Sequence, residues 1–123
     1  MPILDVEVVG QQTGDGRSER LADRLAHAVG SALDVPAGQM WVKLRQLPAS
    51  QYAENGPPPA TLPVFVRVLA RLRDPSEWPQ RAATIAAVVA KVTGRERASV
   101  HVILEPDASG RVFFGGAPDL RAR

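Results

Sequence analysis

A proline directly follows the initiator methionine and heads an apolar strand, Met1-Pro2-Ile3-Leu4-Asp5-Val6-Glu7-Val8-Val9. With Met1 removed, Pro2 offers a secondary amine held by its own ring at the edge of a sheet; with Met1 kept, the same nitrogen is an amide without a basic lone pair. A terminal amine has a reference pKa of about 7.7 to 8.0, and burial or neighbouring cations disfavour its charged form. Arg71 and Arg73 stand at the exit of a later strand. If they converge on Pro2, their planar guanidinium forks would bind a carboxylate and keep the amine neutral near pH 7. An enol acid held in this way would give a proton to Pro2 and recover it at another carbon. Tyr52, the sole tyrosine, can donate a hydrogen bond to an oxyanion. The chain has no cysteine and two histidines, His27 and His101, so a metal site would need carboxylates to complete it. The expected reaction uses neither a metal nor an organic cofactor.

Composition bounds the partners. Fifteen basic residues face thirteen acidic ones, a net charge of +2. This is no polybasic surface built for phosphate backbones, and nucleic acid is not an expected partner. No apolar stretch approaches the roughly 20 residues that span a bilayer, and the N-terminus lacks the pattern of a signal peptide. The expectation is a cytoplasmic protein without a membrane partner. A length of 123 residues suits one compact domain.

The elements that must position Pro2 and the arginines are written twice. In Ile3 to Val9, Leu4, Val6 and Val8 alternate with Asp5 and Glu7, a half-buried strand. After the turn-rich segment from Gly10 to Gly16, Ser18 can cap a helix whose Leu21, Leu25, Ala28, Val29, Ala32 and Leu33 make an apolar stripe. Met40, Val42 and Leu44 alternate with Trp41, Lys43 and Arg45 in a second strand. The plan then repeats: a strand headed by Pro63, sixty-one positions after Pro2, helix signals at Asp74-Pro75-Ser76-Glu77, a stripe of Ala82, Ile85, Ala86, Val89 and Val92, a C-cap at Gly94, and a last strand from Val100 to Leu104. The expected organisation is one domain over 1–123, with β-α-β units at 1–56 and 63–117, a stiff Pro-rich connector at 57–62 and a tail at 118–123. Right-handed crossovers place both helices on one face of a four-stranded mixed sheet, an α+β fold. The other face carries Trp41, Phe65, Leu69 and Ile103 among charged residues, and association through it is expected.

Pro2, the duplicated β-α-β plan and the length together resemble the tautomerase superfamily, over nearly the whole chain. Its fused members, such as cis-3-chloroacrylic acid dehalogenase and malonate semialdehyde decarboxylase, contain two units and form trimers, and the resemblance implies a homotrimer acting on a small carboxylate substrate. Ser31 to Pro36 is similar to the helix exit of 4-oxalocrotonate tautomerase, and Ser99 to Ile103 to its following strand, with His101 in the place of a substrate-binding arginine. Arg71-Leu72-Arg73 followed by Glu77 resembles the paired arginines of the decarboxylase and the dehalogenase. The segment Met40 to Gly56 resembles the dehalogenase segment whose glutamate activates water, here Glu54. Lys43 stands where the dehalogenase has a catalytic tyrosine, Gly30 near its catalytic histidine, and Gln39 in the place of the decarboxylase's catalytic aspartate. Isomerisation by Pro2 is therefore the first expectation, with Arg71, Arg73, His101, Lys43 and Tyr52 toward the substrate. Water addition through Glu54 is the alternative, and a non-catalytic binding protein of the same fold is the second alternative.

Overall fold

Strand β1 (Ile3–Val9) lies at the centre because both of its edges are used. The computed structural model describes residues 2–10, 20–71 and 74–118. Met1, the cap Ser18, Arg73 and the end of the tail lie outside them. The remaining elements are helix α1 (Leu21–Ala32), β2 (Trp41–Leu47), β3 (Val64–Leu69), α2 (Trp78–Thr93), β4 (Val100–Leu104), and the short strands β5 (Phe113–Phe114) and β6 (Ala117–Pro118).

The main sheet has the order β2-β1-β3-β4. β1 and β2 are parallel, as are β3 and β4, and the two halves meet antiparallel through β1 and β3. Ile3 pairs with Trp41 on one side and Leu69 on the other, so the start of β1 lies beside the end of β3. Leu4, Val6 and Val8 point to one face with Val64, Val66 and Val68, all within 2 % of full burial. Leu25, Val29, Ile85 and Val89 cover them from α1 and α2. Fully burying such a side chain contributes roughly 1.5 to 3 kcal/mol, so this layer is the main term holding the helices on the sheet. The outward positions keep Trp41 and Ile103 exposed, as the alternation requires.

The two units end their helices alike. After α1, Asp34 takes a left-handed φ of 54° and the Val35 N–H donates to the Gly30 carbonyl; after α2, Gly94 takes φ 72° and the Arg95 N–H donates to the Ala90 carbonyl. Both are left-handed stops with a bond reaching back five residues. Gly94 adopts this conformation without a Cβ penalty, whereas Asp34 is one of the few other residue types that visit it.

Two features go beyond the sequence expectation. Past β4 the chain crosses the end of the sheet, where the Ala108 N–H donates to the Ala70 carbonyl, and forms the β5–β6 ribbon around Gly115-Gly116 at φ 61° and 83°. Positive φ at both central residues is what a two-residue hairpin turn demands. The ribbon brings Phe114 edge-on to Trp41, with ring centroids 5.1 Å apart.

Candidate active site

Pro2 sits one residue before β1, and its carbonyl accepts the Trp41 N–H at 3.2 Å. That bond ties the N-terminal end of β1 to β2. Because Ile3 pairs with Leu69, Pro2 lies level with the exit of β3, where Ala70 and Arg71 follow. Pro2 and Arg71 line one cavity of about 160 Å³ between this end of the sheet and the helices. Leu33 and Val35 from the end of α1, and Ile85 from α2, make its walls apolar. The Nε of Arg71 is buried. Arg81 of α2 reaches the same cavity, and its guanidinium also meets Glu77 at 3.4 Å. A low-dielectric wall strengthens any charge interaction inside, so a guanidinium here binds an anion more tightly than it would in water.

The other candidates stand elsewhere in the same chain. The Tyr52 hydroxyl donates to Glu54 Oε2 at 2.5 Å. That bond, with smaller contributions from desolvation and the Glu54 charge, holds the Tyr52 phenol above its ordinary pKa. Tyr52 lies 6.0 Å, centroid to centroid, from Phe65, and Phe65 lies 5.5 Å from His101. Phe65 pairs with Glu7 of β1, five residues beyond Pro2 and therefore about 17 Å along the strand. Tyr52 and His101 thus sit toward the opposite end of the sheet, and His101 lies on the face away from the helices. Lys43 is on that face too, level with Asp5, whose carboxylate it meets at 3.1 Å. One chain therefore brings Pro2 and Arg71 together, while Glu54, Tyr52, His101 and Lys43 remain apart from them. Arg73 lies outside the described residues.

Two polar residues of note were not singled out by the sequence. Arg81 reads in sequence as one half of an exposed i, i+4 pair with Glu77, and only the packing of α2 against the end of α1 brings it to Pro2. Arg95 is a structural staple: its guanidinium donates to the Leu62 carbonyl at 2.8 Å and the Val9 carbonyl at 2.9 Å, and partial burial lowers its pKa. His27, by contrast, donates from Nδ1 to the Asp23 carbonyl at 2.9 Å on the exposed side of α1. Among the described residues no three His, Asp or Glu side chains gather as a metal site. No described helix is long and apolar enough to cross a membrane.

No protein-family model and no curated protein sequence matches the chain. Solved structures do. A symmetric trimer of a wild-type fused 4-OT superposes with a TM-score of 0.74 at 16% identity, covering 98% of this chain and 97% of that one. Pt0534 inactivated by 2-oxo-3-pentynoate gives 0.75 at 19% identity, with the same coverage. Malonate semialdehyde decarboxylase, whose structures are described as a basis for decarboxylase and hydratase activities, gives 0.67 at 20% identity over 98% of this chain and 93% of its own. Agreement over nearly the full length of both chains shows that this chain has the fused tautomerase fold.

Proposed function

We propose that the chain is a tautomerase-superfamily enzyme, a cofactor-independent isomerase in which Pro2, freed of Met1, is the general base for a small carboxylated enol or unsaturated acid. The observation that carries this reading is the shared cavity of Pro2 and Arg71. The Arg71 guanidinium takes the substrate carboxylate, with Arg73, two residues further along the sequence, as a second candidate for it. The neutral Pro2 amine accepts the enol proton and returns it to another carbon, while the guanidinium charge stabilises the negative charge that develops on the acid. The walls are apolar, and a low-dielectric surround strengthens the charge interactions between substrate, guanidinium and amine.

The unit is a homotrimer in this reading, as the fused 4-OT relatives are. Association covers the outward sheet face and brings His101, Lys43 and Tyr52 toward a neighbouring chain's substrate, since they do not reach Pro2 in their own. Water addition through Glu54 is the second reading. The Tyr52 hydrogen bond favours it by fixing the carboxylate. Intact mass and turnover test the first reading together. The active protein should lack Met1, and Pro2→Ala should lower kcat for ketonisation of phenylenolpyruvate by 10² or more, the scale of a lost general base. An active preparation that retains Met1 refutes the role of Pro2, whereas a folded protein that retains Met1 and shows no turnover moves the chain to the binding-protein reading.

A further inference from the structure

In the cavity beside Pro2 a second guanidinium accompanies Arg71, and it comes from α2. Arg81 lines this cavity and also a polar cleft of about 460 Å³ between the end of α1 and the start of α2, with Asp34, Glu77 and Thr84. Leu33 and Arg81 line both, so the two spaces meet at this pair. No carboxylate is among the described residues that line the Pro2 cavity.

Arg81 stands toward the N-terminal end of its helix. It is the fourth residue of α2. The first turn carries the positive end of the helix dipole and favours anions, whereas cations belong in the last turn, where Lys91 stands. Glu77 offsets part of this, but its 3.4 Å contact is long for a charge-assisted bond, and the two side chains remain 44% and 56% exposed. A cation held loosely by its carboxylate, beside an apolar cavity with another guanidinium, is set to exchange that carboxylate for a ligand's.

We propose that Arg81 is a second anion-binding residue of the Pro2 site, holding the carboxylate of a small acid from the helix side while Arg71 approaches from the sheet side. Glu77 is the partner that the ligand displaces. The inference rests on the Pro2 reading for its place in catalysis, and it fixes the ligand class: a short acid whose apolar remainder lies against Leu33, Val35 and Ile85. The cavity, of about 160 Å³, has room for the apolar part of a small acid of this kind.

Isothermal titration of the intact protein with 2-oxopentanoate and with its uncharged amide tests the proposal in wild type, R81Q, R81K and E77Q. R81Q should weaken the acid by about tenfold and the amide by less than about twofold, with partial recovery in R81K. E77Q, which removes the competitor, should tighten the acid by about two- to threefold. The same affinity for the acid in R81Q and wild type, or equal losses for acid and amide, overturns the proposal. Mass spectrometry after exposure to 2-oxo-3-pentynoate reads the Pro2 chemistry separately. There the secondary amine adds across the triple bond, forming one N–C bond, and the neighbouring alkyne carbon gains the proton that the amine loses. Absence of that label with the Arg81 effect intact removes the catalytic role of Pro2 and leaves the anion site standing.

Discussion

Replacing Arg95 by Met should destabilise the fold without touching the chemistry at Pro2. The guanidinium spans the two halves, bonding the carbonyl of Leu62 just before β3 and that of Val9 at the end of β1. A hydrogen bond from a charged donor contributes about 1.5 to 3 kcal/mol, so two give roughly 3 to 6 kcal/mol as an upper bound. The site is only partly buried, so water can replace some of the lost partnership, and removing the cation relieves the desolvation that lowers its pKa. The expected loss is therefore about 2 to 4 kcal/mol. Urea unfolding at fixed protomer concentration is the assay, because self-association makes apparent stability depend on concentration. With a slope near 1.5 kcal/mol/M, the midpoint should fall by about 1.3 to 2.7 M. Arg95→Lys keeps the charge but loses the planar fork, and should lose about half as much. A midpoint for Arg95→Met within about 0.3 M of wild type would refute the staple.

Arg71→Ala should raise KM by about tenfold for an acid substrate and much less for its ester, read by steady-state kinetics; equal losses would mark a structural residue. Glu54→Gln should bring the Tyr52 phenol down toward its ordinary pKa, because the Glu54 hydrogen bond is the leading cause of its elevation. Tyr52 is the sole tyrosine, so alkaline absorbance titration reads it without interference. The same variant should keep ketonisation within roughly tenfold of wild type if Pro2 alone moves the proton, whereas a loss of 10³ would favour water addition. Sedimentation equilibrium should give three chains per particle at micromolar concentration, and a monomer would undercut the trimer.

Much of this architecture is written locally. Alternation in β1 assigns Leu4, Val6 and Val8 to the core, and they are buried; Gly94 ends α2 in the left-handed conformation that glycine permits. The antiparallel junction is not local, since the same two β-α-β units could meet along other edges. The β5–β6 ribbon is also hard to read, because strands of two residues have no periodicity and their anchor, Phe114 on Trp41, is a contact across the sheet. The separation of Glu54 from Pro2 was legible in principle. A parallel β1–β2 pair puts the exit of β2 at the end of β1 opposite Pro2, so a residue following β2 starts from the far side of its own chain. Arg81 and Arg95 had no distinctive signal, for an arginine near a helix end reads as solvated until its neighbours are known.

The duplication also sets the Pro2 end of the described structure against a counterpart at Pro63 that is built differently. Pro63 is the counterpart of Pro2, and the pairing of Val8 with Val64 is the counterpart of Ile3 with Leu69. At the Pro2 end, the residue after the left-handed helix stop is Val35, the strand exit supplies Arg71, and a cavity remains. At the Pro63 end, the residue after the stop is Arg95 and the strand exit supplies Gly10. Leu62 packs closely there: a Cβ on Gly10, at φ 80°, would come within 2.6 Å of its side chain. Pro63 is also a mid-chain residue, so its nitrogen is an amide without basicity. The same β-α-β frame thus has a cavity with a cation at one end, where an N-terminal amine can form, and at the other a cation that satisfies backbone carbonyls. Exchanging these roles tests the argument: Arg95→Val should open a cavity beside Pro63 that xenon or a small apolar probe can enter, yet add no turnover, since no amine stands there. Activity gained in that variant with Pro2 replaced by Ala would break the link between the open cavity and the terminal proline.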